Sequence, residues 1–141
     1  MIYFAYGSNT NPKVMLSRIP NAQFYGRYSL KDWELRFAGH SRNHRQNGVL
    51  DIKPNPNSTV HGILWQIPDD SISSLDHEEG CKYHHFSFLL NTGEKAFSYT
   101  MVRDAMKNKP HLEYVDIVLN GYKLFGLPKQ DVMLAYYKSL V

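Results

Sequence analysis

The run Leu75-Asp76-His77-Glu78-Glu79-Gly80 gathers three acids within four positions. Ile72 and Leu75 lie three apart behind Asp69 and Asp70, a spacing that predicts a short helix with one buried face and an acidic first turn. Gly80 is placed to end it. Asp76, Glu78 and Glu79 then fall in the last turn, where the helix dipole is negative and each exposed acid costs about 0.3–1 kcal/mol. A solvated acidic face, partly offset by Lys82, accounts for His77 and Glu78. Glu79 is the functional candidate. The same dipole, with any burial, raises a carboxylate pKa toward neutrality, which suits a general base that must also return its proton.

About seventy residues earlier stands a group with complementary chemistry, Tyr3-Phe4-Ala5-Tyr6-Gly7-Ser8-Asn9. An apolar run breaks into Gly-Ser-Asn, and Asn11 and Pro12 behind it are helix-start residues. This reads as a strand feeding a tight turn. The backbone N–H groups of such a turn can hold an anion, or an oxygen on which charge develops. A strand-turn-helix with no ligand would carry the same residues.

Other constellations carry less. His40, His44, His77, His84 and His85 invite a metal reading, but only His40 and His44 are four apart, in a loop-like segment, and no second cysteine exists to build a structural site. Cys81 beside Gly80 is a conceivable nucleophile, although a lone cysteine is more often a small buried hydrophobe. Arg36, His40, Arg42, His44 and Arg45, with Trp33 and Phe37 nearby, form a basic run that would suit RNA, a solvated face, or the rim of a site receiving an acidic substrate.

The elements that must position these residues follow from periodicity. A helix is expected from Asn11 and Pro12 to about Arg18, with strands at Ala22 to Leu30 and Trp33 to Gly39. His40 to Asn47 reads as a polar loop and Gly48 to Lys53 as a strand. A turn at Pro54 to Ser58 leads to a strand at Val60 to Ile67. After the Asp69 to Glu79 helix, Phe86 to Leu90 and Lys95 to Val102 form a hairpin around Asn91-Thr92-Gly93. Helices from about His111 to Leu124 and from Pro128 onward complete the chain. Strands clustered in the middle with helices at the end predict an α+β domain spanning 1–141.

Composition agrees with one globular unit. At 141 residues the chain is long enough to bury a core. A net charge of +3 is too small to demand a nucleic-acid partner. The single cysteine forbids an internal disulfide, which suits a reducing compartment. No apolar run approaches the ~20 residues of a membrane span, and nothing resembles a signal peptide. A cytoplasmic location is expected.

Together the motifs resemble the gamma-glutamylcyclotransferase family. Its opening Y-F-A-Y-G-S-N is matched from Tyr3 to Asn9, and its L-D-x-x-E-G at Leu75, Asp76, Glu79 and Gly80. Its P-x-x-x-Y followed by G-L-P is matched at Pro110, Tyr114 and Gly126-Leu127-Pro128. The resemblance implies a small mixed β-barrel with peripheral helices. It also implies an enzyme that cyclises a gamma-glutamyl group to 5-oxoproline, with Glu79 as acid/base. Tyr3, Phe4, Ala5, Tyr6, Gly7, Ser8, Asn9 and Tyr114 would bind substrate, without metal, cofactor, nucleic acid or membrane. One departure stands out: Phe86 occupies a position where many members carry tyrosine, and Tyr83 is a candidate substitute. The alternative is a non-catalytic module of the same fold that binds a carboxylate or amino acid.

Overall fold

The computed structural model describes residues 1–40, 47–79, 83–101 and 105–141, with 78 and 79 described by backbone alone. The strands are β1 (Ile2–Ala5), β2 (Gln23–Ala38), β3 (Val49–Gln66), β4 (Tyr83–Leu89) and β5 (Lys95–Met101). The helices are α1 (Pro12–Arg18), α2 (Ile72–Glu79), α3 (Leu112–Leu124) and α4 (Lys129–Ser139), with 3-10 turns at Ser8–Thr10 and Asp69–Ser71. The fold is α+β, as expected.

The strands form one mixed sheet in the order β2-β3-β1-β5-β4. β1 pairs antiparallel with β3, Tyr3 opposite Trp65, and parallel with β5, Tyr3 opposite Phe97. All four β1 residues are buried. That is why this strand reads as a continuous apolar run, where a half-exposed strand would alternate.

The expected barrel is corrected: the sheet curls but does not close. Among the described residues no backbone ladder joins its edge strands, β2 and β4. Aromatic pairs meet across that gap instead, Trp33 on Phe86 with centroids 4.8 Å apart and Tyr28 on Phe88 at 5.9 Å. Side chains also tie the first half of β3 to the end of β5. Asp51 Oδ1 accepts from Met101 N at 2.8 Å, and Thr100 Oγ1 donates to Ile52 O at 2.9 Å.

Two pairs of expected strands are single strands. β2 runs through Leu30–Trp33, and β3 runs through Pro54–Ser58. The pairing steps from Lys31 opposite Thr59 to Trp33 opposite Pro54, so 55–58 face Asp32 alone. The extra residues are taken up as a bulge, with Asp32 and Asn57 at φ near +70° (70 and 71). The prolines are tolerated because β1 reaches only Ile63–Gln66, leaving β2 as the backbone neighbour of β3 at Pro54.

The helices start where their caps say. The Asn11 side chain accepts from Lys13 N at 3.0 Å with Pro12 at the first helical position, and His111 Nδ1 accepts from Glu113 N at 3.2 Å. α3 lies directly on the turn after β1: a Cβ at Gly121 would come within 2.3 Å of Thr10 Oγ1, so only glycine permits this approach. Its neighbour Tyr122 is fully buried and donates to Tyr6 O at 2.7 Å. Burial pushes that phenol's pKa up, keeping it a neutral donor. Among the described residues no helix is long and apolar enough to cross a membrane.

Candidate active site

A small cavity opens at the end of β1. Tyr3, Tyr6, Gly7, Ser8 and Asn9 line it from the strand and its turn. Leu50, Tyr83, Tyr99 and Tyr114 close it from β3, β4, β5 and α3.

The turn is held from below. Gly7 O accepts from Thr10 N at 3.0 Å and from Thr10 Oγ1 at 2.7 Å, and Asn11 N donates to Ser8 O at 3.0 Å. The N–H groups of Gly7 and Ser8 precede these bonds and donate to no backbone carbonyl among the described residues. Donors of this kind are what a 3-10 turn leaves at its start. Asn9, 3 % exposed, is a brace: its Nδ2 donates to Tyr3 Oη at 2.9 Å, its Oδ1 accepts from Arg18 at 2.6 Å, and its carbonyl accepts from Trp65 Nε1 at 2.9 Å. Tyr6 Oη donates to Tyr99 O at 2.7 Å.

Two phenols grip one residue of β3. Tyr114 Oη accepts from Leu50 N at 3.1 Å, and Tyr83 Oη donates to Leu50 O at 2.9 Å. Gly7 fits closely beneath them: a Cβ there would stand 3.2 Å from Tyr114 Oη, tighter than an ordinary contact. Tyr99 Oη donates to Asp76 Oδ1 at 2.5 Å, which ties α2 to the cavity wall.

Of the residues anticipated for the site, Tyr3, Tyr6, Gly7, Ser8, Asn9 and Tyr114 come together here. Phe4 and Ala5 do not line the cavity; they are core residues. Phe4 is fully buried against Tyr6, Tyr28 and Phe88, and Ala5 is 1 % exposed in the β1–β3 pairing. Glu79 ends α2, and its side chain lies outside the described residues. Its backbone position is three residues after Asp76 and four before Tyr83.

Phe86 stacks on Trp33 and takes no part in the cavity; Tyr83 does. Reasoning from sequence missed Leu50 and Tyr99. Leu50 contributes its backbone N–H and C=O, which no residue type announces. Tyr99 had a weak signal, a phenol in an apolar strand whose hydroxyl needs a partner.

The remaining candidates disperse. Arg36 is bonded to Asp51 and to Ala105 O rather than offered as a basic face. Cys81, Arg42, His44 and Arg45 lie outside the described residues. His85 packs edge-on against Phe97 and Tyr99. Among the described residues no three His, Cys, Asp or Glu groups gather to hold a metal.

No family model matches the chain. Individual proteins do. It is 32% identical over 149 residues to a gamma-glutamylcyclotransferase of Bos taurus, covering 99% of this chain and 76% of that one. A gamma-glutamylcyclotransferase of Mus musculus is 31% identical over 139 residues, with 92% and 73% covered. The chain belongs to the gamma-glutamylcyclotransferase family.

Solved structures agree. A gamma-glutamyl cyclotransferase superposes with TM-score 0.79 at 26% identity, covering 96% of this chain and 85% of its own. A yeast gamma-glutamyl cyclotransferase described as specific to glutathione has TM-score 0.72 at 12% identity, covering 99% and 95%, a likeness of fold alone. The cavity therefore lies in a family fold and is built largely from the segments in which this chain carries the family's motifs.

Proposed function

We propose that the protein is itself a gamma-glutamylcyclotransferase and that the cavity at the end of β1 is its active site. The substrate's free α-amine attacks its own γ-carbonyl carbon. A C–N bond forms, the bond from that carbon to the attached nitrogen breaks, and 5-oxoproline and a free amine leave. Two protons pass in turn from the α-ammonium to the leaving nitrogen, one before attack and one as the bond breaks, carried by the Glu79 carboxylate. Because nucleophile and electrophile share one molecule, the protein's main task is to fold the substrate into attack geometry. The N–H groups of Gly7 and Ser8 serve the developing oxyanion or the substrate's α-carboxylate. Tyr114 contacts the glutamyl group, and Tyr83 supplies the phenol that Phe86 lacks. This route calls on no metal or cofactor.

The observation that carries the reading is the cavity itself, which joins the Tyr6–Asn9 turn to Tyr114 across more than a hundred residues of sequence. Supporting it, Asp76 is bonded to cavity-lining Tyr99, and position 79 follows 76 by about one turn, the spacing at which helical residues share a face. The G-L-P segment favours gamma-glutamyl amino acids as substrates, with glutathione and gamma-glutamyl amines as the competing choices. The single cysteine favours work in the reducing cytoplasm.

The test is 5-oxoproline release by purified protein from gamma-glutamyl-alanine, glutathione and gamma-glutamyl amines, with N-acetyl-gamma-glutamyl-alanine beside them. Release is expected from at least one uncapped compound and none from the capped one. Capping removes the nucleophile and the ammonium's ion pair together, so calorimetric affinity should also fall, by about 1–3 kcal/mol. Equal affinity for the capped and uncapped forms, with no 5-oxoproline from any compound, would retire the enzyme reading in favour of a binding module.

A further inference from the structure

A second concavity lies apart from the cavity at β1, on the outer face of the β2–β3 hairpin, and the chemistry above makes no use of it. Its volume is ≈ 630 Å³. Arg27, Ser29 and Lys31 are alternate residues of β2 and all are exposed, so their side chains rise from one face of the strand. His61 stands opposite Ser29 on β3, its Nδ1 2.8 Å from Ser29 Oγ. The Gly126-Leu127-Pro128 segment between α3 and α4 and Asn91 of the β4–β5 turn form the walls.

The lining holds two permanent cations and no carboxylate. Among the described residues no acidic side chain pairs with Arg27 or Lys31, and the hydrogen bond recorded for Arg27 is a long one, 3.5 Å to Phe125 O. Asp131 in the first turn of α4 interacts with His61 but lines a different cleft beside Glu34 and Lys138, and Asp32, which follows Lys31 in β2, does not line the groove. Elsewhere on this hairpin the cations are compensated: Lys53 meets Glu34 at 3.2 Å and Arg36 meets Asp51 at 2.8 Å. A guanidinium, an ammonium, a hydroxyl and an amide lining one hollow offer a set of donors matched to an acceptor-rich, negatively charged occupant.

We propose that this groove is a second ligand site, taking a phosphate or carboxylate group of a small molecule between Arg27 and Lys31. Arg27 and Lys31 flank Ser29 on the same face of β2, so one oxyanion can be held from two sides while the hydroxyl and Asn91 satisfy its remaining lone pairs. The G-L-P segment, which does not line the cavity at β1, then gains a structural role as the wall of this groove.

The proposal does not rest on the cyclotransferase reading, and the experiment separates the two. Amide chemical shifts of the full-length protein are followed while inorganic phosphate, and in parallel glutarate, is added at constant ionic strength with chloride as the matched control. Saturable shifts are expected at Ser29, His61 and Gly126, and their source is read from which of the two anions binds more tightly. R27A/K31A, altering exposed side chains alone, should keep the wild-type spectrum elsewhere and the thermal midpoint, yet bind about tenfold more weakly or worse. Shifts confined to Gly7 and Ser8, shifts matched by chloride, or undiminished binding in R27A/K31A would overturn the proposal. So would a single-stranded oligonucleotide that binds this face while neither small anion does.

Discussion

Consecutive residues of a helix point about 100° apart, so Glu78 and Glu79 cannot both address one cavity. Glu79→Gln keeps the shape and removes the base; turnover should fall by about 10²-fold or more with the thermal midpoint held, while Glu78→Gln is nearly silent. Equal losses from both would name the wrong group. Gly7→Ala probes the other wall, because its methyl would press on Tyr114 Oη at 3.2 Å. The expected result is a raised KM with folding retained, and an unchanged KM would remove Tyr114 from the site. At this scale the sequence was legible where a motif carried the residue, whether its side chain or its backbone faces the cavity. Tyr3, Tyr6, Gly7, Ser8, Asn9 and Tyr114, which belong to motifs far apart in sequence, line one cavity. Phe4 and Ala5 were swept in by their place in the same motif, yet burial in the strand gives them packing duties only. Leu50 was illegible because its peptide group, not its isobutyl chain, meets Tyr83 and Tyr114.

Elements were read well at their ends and less well along their length. Asn11 and Pro12 marked the start of α1, but Pro54 to Ser58 suggested a turn between two strands that does not occur, because β3 at that point can absorb a bulge against β2 alone. What steadies the hairpin beside that bulge is Glu34, which accepts from Asn55 Nδ2 at 2.8 Å and pairs with Lys53 at 3.2 Å. Partial burial raises the Glu34 pKa, but the Asn55 and Lys53 contacts outweigh it and hold the pKa below the ordinary glutamate value. A depressed carboxylate stabilises the fold above its unfolded pKa, and the gain is lost as pH falls through the folded value. Glu34→Gln should therefore lower stability at pH 7, by at most about 1 kcal/mol for so exposed a pair. The deficit should vanish in acid below the folded pKa, as urea titrations at both pH values would register. A deficit unchanged in acid would assign the effect to packing. α2 depends on the Asp76–Tyr99 bond in a different way. Asp76 faces the unfavourable end of its helix dipole, so Asp76→Asn costs little stability. Its expected signature is a lower kcat with an altered pH profile, since it moves the turn that carries Glu79. A lowered melting midpoint with kinetics untouched would make Asp76 merely structural.

For the molecule as a whole, the decisive question is what holds a sheet curled when its edges share no backbone ladder. Family resemblance implied closure, and no reading of periodicity could have corrected it, because the curl depends on which side chains meet across the gap. Aromatic stacking supplies one seam, between β2 and β4. Asp51 supplies the other. It is fully buried, and it accepts from Met101 N at 2.8 Å, from Arg36 Nε at 2.8 Å and from Thr100 Oγ1 at 3.3 Å. Asp51→Ala would strand a backbone N–H and a largely buried guanidinium together, and removing one partner of a buried pair costs about 3–5 kcal/mol. Asp51→Asn keeps an acceptor for Met101 N and should lose less. Leu50, the next residue, is the one both Tyr83 and Tyr114 grip, so loosening this seam should reach the cavity before the protein unfolds. In Asp51→Asn, activity should therefore fall at temperatures where circular dichroism still reports a folded chain, with the KM for a gamma-glutamyl substrate rising first. If activity and fold are instead lost together, the seam stabilises the sheet without positioning the site, and the aromatic edge alone sets the shape of the cavity.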